Sequence, residues 1–327
     1  MLEHGGRLHR AAREHGIPLD RWLDLSTGIS PYPWPAPPIP GHVWQRLPEE
    51  DDGLLECARE YYGAPELLPV AGSQAAIQAL PLLRERCRVG VIAPGYAEHA
   101  HAWRRAGHEV HPRPASDLVA DTAGDDVVVL IQPNNPAGER FDPPVLLRLH
   151  EALAARGGWL VVDEAFVDAT PQDSLCRYTD RAGLVVLRSV GKFFGMAGAR
   201  AGFVCARPDV LEALAEQLGP WTLSGPTRFV LARALADRSW QAGARDRLRL
   251  SAERLAALLA RHGLAASGGT AFFQWCKTER APALRDALAA QGILVRLFDQ
   301  PASLRFGLPG DDAAFRRLDA AIDEVLR

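Results

Sequence analysis

The sequence predicts an α/β protein with a large domain built on a mainly parallel sheet and a smaller α+β domain. Three observations carry that expectation. Five short apolar runs, at residues 89–93, 127–131, 159–162, 184–187 and 202–205, alternate with helical patterns, the order of repeated strand–helix–strand units. Beyond residue 209 the pattern becomes helix-rich, then gives three shorter strand runs and a closing helix, as a second unit would. A length of 327 residues suits one large domain with a smaller one beside it.

Taken in order, residues 1–50 read as irregular, because Pro31, Pro33, Pro35, Pro37, Pro38 and Pro40 oppose a helix. An amphipathic helix is expected over 53–62. Gly72 and Ser73 open another, through about residue 83. The five strand runs follow, with helices between them. A helix-rich section begins at 209–217, and 240–262 reads as one long helix of Arg, Leu and Ala. Short strands are expected at 272–275, 294–297 and 304–306, with a last helix from about Asp312. This ordering divides the chain into a large domain over 31–215 and a small one made of 1–30 and 216–327.

Composition excludes several function classes. Hydrophobic residues make up 47% and charged residues 24%, the balance of a folded globular chain rather than a disordered one. A net charge of −3 gives no basic field for nucleic acid. No apolar run reaches the ~18–20 residues that span a bilayer. The start MLEHGGRLHR has no apolar signal core, so a cytoplasmic location is expected. The five cysteines are odd in number, far apart and without metal-ligand spacing, so free thiols and no metal are expected. Of the 37 basic residues only Lys192 and Lys277 are lysines, so chemistry that needs a primary amine has two side chains to choose from.

Four segments carry chemistry, each at or just after a strand end, where open α/β sheets bind ligands. Ala71-Gly72-Ser73-Gln74 precedes a helix, and its backbone donors suit either a phosphate or a plain N-cap by Ser73. Gln132-Pro133-Asn134-Asn135-Pro136-Ala137-Gly138 forms a tight turn, either as turn chemistry alone or to present Asn135. Asp163, in Asp163-Glu164-Ala165-Phe166, ends a buried strand and needs a partner, whether a cationic ring nitrogen, an arginine or a cap. Lys192, in Ser189-Val190-Gly191-Lys192-Phe193-Phe194-Gly195, sits among apolar and glycine residues, where desolvation turns an amine into a nucleophile for a carbonyl. Ser189 and Arg200 flank it as polar groups able to hold a phosphate.

The order and spacing of these segments resemble the signature of fold-type I enzymes that use pyridoxal 5′-phosphate (PLP), within the class-II aminotransferase family. The resemblance spans nearly the whole chain and rests on Ser-x-x-Lys followed by Arg200, the Asn-Pro-Ala-Gly turn and the Asp-x-Ala-aromatic strand end. It implies that Lys192 binds the cofactor aldehyde covalently and that Asp163 pairs with the ring nitrogen. It implies that Asn135 bonds the ring oxygen, that Ser73, Gln74, Ser189 and Arg200 hold the phosphate, and that Tyr96 stacks on the ring. A homodimer is implied as well, since sites of this fold type resemble one another in lying at a subunit interface.

Within that fold type, His4-Gly5-Gly6, Asp24-Leu25-Ser26-Thr27-Gly28-Ile29, Arg46-Leu47-Pro48 and Leu218-Gly219-Pro220-Trp221 resemble a decarboxylase branch acting on O-phosphothreonine in cobalamin biosynthesis. That branch implies loss of CO2 from L-threonine O-3-phosphate to give (R)-1-amino-2-propanol O-2-phosphate. Its nearest sister is the histidinol-phosphate aminotransferase branch, which stays open as an alternative, as does a PLP-binding regulator that has lost catalysis. By the same resemblance Arg305 matches a carboxylate-binding arginine and Arg296 a phosphate-binding one. His4, Gly28, Ser30 and Asn135 are the other residues expected on the substrate side. The chain departs from the wider pattern at Phe166 and at Leu47, where many relatives carry tyrosines, and at Gly28 and Ser30, where some decarboxylase relatives carry asparagines.

Overall fold

The computed structural model describes residues 3–122 and 124–327. Its strands are β1 (Leu23–Leu25), β2 (Leu67–Val70), β3 (Arg88–Ile92), β4 (Glu109–Arg113), β5 (Val127–Ile131), β6 (Trp159–Asp163), β7 (Leu184–Ser189), β8 (Gly202–Cys205), β9 (Gly268–Thr270), β10 (Phe273–Lys277), β11 (Ile293–Asp299) and β12 (Ala302–Gly307). The chain forms two compact units. The larger comprises Pro33–Asn134 and Arg140–Gly243. The smaller comprises the chain up to Tyr32, Asn135–Glu139 and Ala244–Arg327.

The larger unit is built on a seven-stranded sheet in the order β2-β8-β7-β6-β5-β3-β4. All its strands run parallel except β8, which is antiparallel to both β2 and β7. The central strands are continuous apolar segments, and β5 is buried at every position. That is the pattern of a parallel strand covered on both faces. Val89, Val127, Val129, Val161, Val185 and Val204 form a core with Ala76 and Ile77 of the helix Ser73–Ala79, Trp103 of the helix Ala97–Arg105, and Leu211 and Leu214 of the helix Pro208–Leu218. Burial of the many Val side chains, at about 1.5–3 kcal/mol each, is the main force holding the sheet to its helices.

The smaller unit has a five-stranded sheet in the order β1-β11-β12-β10-β9, with β1 parallel to β11 and the other pairs antiparallel. Phe273, Trp275, Leu304 and Phe306 are buried in it. The helix Ala281–Ala290 packs on β11 and on the closing helix Asp312–Leu326. The latter is capped by Asp311, whose carboxylate accepts from the Ala314 N–H at 2.8 Å. The turn Asn135–Glu139 belongs with this unit because two glycines allow it to touch β9. A Cβ on Gly138 would lie 2.3 Å from the Gly269 oxygen, and one on Gly268 would lie 1.9 Å from the Ala137 oxygen.

The α/β architecture matches expectation, but three parts differ. Residues 1–50 are not irregular throughout: a helix spans Leu8–His15, a short helical turn spans Gly41–Gln45, and β1 lies between them. The prolines that oppose a helix are confined to 31–40. Leu8, Ala11 and Ala12 follow helical spacing, and they pack with Trp22 and Ala289. The units divide at Gly243 and Ala244, within the helix Arg238–Arg261, and not at residue 216. Residues 216–243 stay with the larger unit because the helix Gly225–Ala236 packs on the helix Leu54–Tyr62. Its buried Arg228 also grips Asp52 through two hydrogen bonds of 2.7 Å. Strand β9, three residues at an edge of the smaller sheet, is absent from the expected set. So are β2 and β4 of the larger sheet. Each carries a proline, Pro69 or Pro112, and each lies at an edge of the sheet, the place where a strand tolerates the missing N–H.

Candidate active site

In the larger unit the C-terminal ends of β6 and β7, with the loop after β2, bring polar groups together. Asp163 is the last residue of β6 and is buried. Its Oδ2 lies 2.8 Å from His99 Nε2, and its Oδ1 accepts from the Ala165 N–H at 3.0 Å. His99 is also buried and sits three residues after Tyr96, in the first turn of the helix Ala97–Arg105, so the two rings meet edge-on with centroids 6.1 Å apart. The Tyr96 hydroxyl donates to Gln74 Oε1 at 3.2 Å, and Gln74 Nε2 donates to Glu98 Oε2 at 2.9 Å. Burial, reinforced by Glu98 and Asp163, pushes the Tyr96 phenol up to about 12, so it stays neutral at physiological pH.

A second corner of the same unit collects anion-binding groups. Ser73 is the first residue of its helix, and the cap residue is Gly72, which offers no side chain to the helix N-terminus. The plain N-cap role for Ser73 is therefore replaced: it stands beside N–H groups that no capping side chain covers. Gly72 has φ +74°, and a Cβ there would lie 2.7 Å from an Arg200 terminal nitrogen, so the guanidinium rests on the glycine backbone. Arg200 itself holds a left-handed backbone, φ 50° and ψ 54°, a conformation that costs a non-glycine residue about 1–3 kcal/mol and clusters at functional sites. Ser189 pairs with Gly202 across β7 and β8, and a Cβ on Gly202 would lie 2.7 Å from the Ser73 nitrogen. Ser73, Ser189 and Arg200 thus converge around two glycines.

Lys192 lies in the helical turn Val190–Phe193 that Ser189 begins, and its Nζ lies 5.7 Å from the centroid of the buried Phe166 ring. This donor set suits a particular kind of molecule. The corner of Ser73, Ser189 and Arg200 fits a phosphate. The buried Asp163 carboxylate, oriented by His99, fits a protonated ring nitrogen. The Lys192 amine fits an aldehyde.

The smaller unit assembles an arginine pair. Arg296 of β11 and Arg305 of β12 face each other directly in register. Like charges opposite one another in a sheet are destabilising, and the Glu3 carboxylate, 3.7 Å from an Arg296 terminal nitrogen, offsets part of that cost. Arg305 is buried and donates to Asn135 Oδ1 and, at 2.9 Å, to the Ser26 carbonyl. Its Nε has no hydrogen-bond partner among the described residues. Burial, and next the Arg296 charge, pulls its guanidinium down to about 10. Arg296 donates to the Glu3 carbonyl at 2.6 Å, which places His4 next in sequence to that contact. The Ser26 hydroxyl accepts from the Gly6 N–H at 2.8 Å and so holds the N-terminal segment against the loop that carries Gly28.

Sequence-expected residues therefore fall into two groups. Ser73, Gln74, Tyr96, Asp163, Ser189, Lys192 and Arg200 lie in the larger unit. His4, Gly28, Ser30, Asn135, Arg296 and Arg305 lie in the smaller one. Asn135 is seen bonded to Arg305, and the Ser30 hydroxyl is engaged locally, on the Tyr32 N–H and carbonyl at 3.2 and 3.3 Å. Lys277 is exposed, as expected. His99 escaped the sequence reading. Its only signal was a spacing of three from Tyr96, which puts both on one helix face.

Three comparisons bear on this arrangement. A family model described as aminotransferase class I and II matches residues 48–322. The threonine-phosphate decarboxylase of Pseudomonas aeruginosa is 57% identical over 322 residues, 98% of this chain and 97% of that protein. The threonine-phosphate decarboxylase of a Sinorhizobium species is 41% identical over 328 residues, again 98% of this chain and 97% of the relative. Among solved structures, histidinol-phosphate aminotransferase from Sinorhizobium meliloti, in complex with pyridoxal-5′-phosphate, has a TM-score of 0.86 at 22% identity. That match covers all of this chain and 95% of the other, and it speaks to the fold alone. With most of its length inside the family match and its strand ends equipped as described, the chain belongs to the class I and II aminotransferase family.

Proposed function

We propose that this protein is a PLP-dependent decarboxylase that converts L-threonine O-3-phosphate to (R)-1-amino-2-propanol O-2-phosphate in cobalamin biosynthesis. The observation that carries the reading is the 57% identity to a threonine-phosphate decarboxylase, sustained over 98% of the chain. A direct test follows threonine phosphate by phosphorus NMR. The expected result is its conversion to the amino alcohol phosphate with no 2-oxo acid added. A requirement for 2-oxoglutarate, with turnover of histidinol phosphate, would replace this reading by the aminotransferase one.

When bound, PLP supplies an electron-accepting ring that takes up the electron pair released as a bond at the amino-acid α-carbon breaks. The protein does the rest. Asp163 holds a proton on the ring nitrogen, because an adjacent buried carboxylate favours the charged form. His99 fixes that carboxylate by the 2.8 Å contact. Ser73, Gln74, Ser189 and Arg200 would anchor the phosphate, a hold on the cofactor that does not depend on the Lys192 amine. Tyr96 covers the ring, and Asn135 serves its ring oxygen. Phe166 offers no hydroxyl to that oxygen, so its electronics differ from those set by a tyrosine. The Lys192 amine would be the group that returns a proton to the α-carbon. Arg296 takes the substrate phosphate and Arg305 the carboxylate, with His4, Gly28 and Ser30 beside them.

Two consequences are measurable. Arg296→Ala should raise the KM for threonine phosphate by about 10- to 100-fold, the worth of a charge-assisted hydrogen bond, while cofactor binding is unchanged. His99→Gln should keep the cofactor but lower kcat by roughly 10- to 100-fold for the same physical reason. Steady-state kinetics on the two variants separates the effects.

The cytoplasmic assignment draws support from five free cysteines, three of them buried. The protein acts as a homodimer in this reading, supported by large apolar side chains left on the larger unit: Trp44 and Leu47 are each 66% exposed and Trp221 59%. Sedimentation equilibrium should give twice the chain mass, with Trp44→Glu weakening the association. A monomer at micromolar concentration would remove this part of the proposal.

A further inference from the structure

Behind the end of the sheet lies a buried ionic cluster that the roles above do not use. Arg188 donates to Glu164 Oε2 at 2.6 Å and to Asp168 Oδ1 at 2.7 Å, and all three side chains are almost fully buried. Glu164 also accepts from the Ser174 hydroxyl at 2.6 Å and the Leu175 N–H at 2.7 Å. Asp168 also accepts from the Tyr61 hydroxyl at 2.8 Å, and the guanidinium lies 4.5 Å from the Tyr62 ring centroid. One guanidinium thus serves two carboxylates. Burial pushes the Glu164 carboxyl up, against the pull of Arg188, the Leu175 N–H and Ser174.

The place of this cluster in the sheet gives it meaning. Asp163 pairs with Leu187 across β6 and β7, and the Glu164 N–H continues the ladder onto the Leu187 carbonyl at 2.9 Å. Side chains alternate between faces along a strand. Asp163 and Ser189 therefore share one face of the strand ends, and Glu164 and Arg188 share the other. Each partner of the ion pair is one peptide bond from a cofactor-site residue: Glu164 follows Asp163, and Arg188 precedes Ser189, four residues before Lys192.

We infer that Arg188 is a positioning residue, which with Glu164 and Asp168 clamps β6 to β7 and so fixes the distance between the Asp163 carboxylate and the Ser189–Lys192 turn. The inference rests on the cofactor reading above and adds to it the device that holds the two strand ends in register. A guanidinium is suited to this because its planar fork spans two carboxylates at once. A lysine, as a point charge, grips only one of them well. Losing Arg188 leaves two buried carboxylates without their cation, and losing the Glu164 carboxylate breaks the ionic tie between the two strand ends, so either change frees them to shift. Sites of this kind need their groups held within about 0.5 Å.

The test loads the purified protein with PLP and compares it with Arg188→Lys, Glu164→Gln and, as a control, Arg228→Gln, which breaks a different ion pair in the same unit, between the buried Arg228 and the more exposed Asp52. Three quantities are read: the visible circular dichroism per bound cofactor, the cofactor dissociation constant and the melting temperature. For Arg188→Lys and Glu164→Gln the expected result is weaker dichroism per bound cofactor and a dissociation constant raised about tenfold or more. Arg228→Gln should melt lower yet keep both parental cofactor values. If Arg188→Lys does not fold, Glu164→Gln, which is isosteric and leaves the Asp168 bond intact, decides alone. Lower melting with parental dichroism and affinity in both variants would overturn the positioning role and leave the cofactor reading standing. A parent protein that binds no PLP would overturn both.

Discussion

Lys192→Ala should abolish covalent capture of the cofactor and cut turnover by about a thousandfold or more. The size of the effect follows from the amine inventory. The chain has two lysines, and the second cannot deputise. Lys277 ends β10 in the smaller unit, exposed, its Nζ 4.8 Å from the Trp275 ring centroid. Lys192 lies in the turn after β7 that Ser189 begins. Borohydride treatment followed by peptide mass spectrometry checks the claim. The parent should carry the cofactor mass on the peptide that contains Lys192, and the variant should carry none. Fixed cofactor on any other peptide of the variant would contradict it.

Asp163→Asn is the second large effect, a loss of about a hundred- to a thousandfold in kcat, the scale seen when one preorganised electrostatic group is removed. The substitution keeps the shape and deletes the charge, so packing changes little. The sign of its pH dependence is specific. A carboxylate beside a ring nitrogen raises that nitrogen's pKa, and an amide does not. In the variant the nitrogen gains its proton only at lower pH, so residual activity should rise as pH falls through the neutral range, a trend the parent should lack. A parallel pH–rate profile for both proteins would count against Asp163 as the ring-nitrogen partner.

Much of the sheet was legible because its central strands are continuous apolar runs. Residues 127–131 and 202–205 match β5 and β8 at both ends, and the other three runs differ from their strands by one or two residues. Edge strands were not legible. Pro69 and Pro112 look like strand breakers until the topology puts β2 and β4 at the rims. The helix Leu8–His15 was hidden by prolines that lie more than a dozen residues further on. The site was legible where chemistry and spacing are both local, as from Ser189 to Arg200. It was not legible where contact is made at long range. His99 meets Asp163 across 64 positions, and Arg188 meets Glu164 across 24, as one of 35 arginines with nothing in the sequence to single it out. Arg296 and Arg305 could be marked individually, but their opposition in register appears only once β11 and β12 are paired.

A decarboxylase breaks the bond from the substrate α-carbon to the carboxylate. The most direct measurement runs the reaction of L-threonine O-3-phosphate in deuterium oxide and analyses the product by proton NMR and mass spectrometry. Decarboxylation retains the original α-hydrogen and adds one solvent deuterium at that carbon, with CO2 released in equal amount. Loss of the α-hydrogen to solvent with the carboxylate retained would show that the other bond is broken and that the protein is not a decarboxylase.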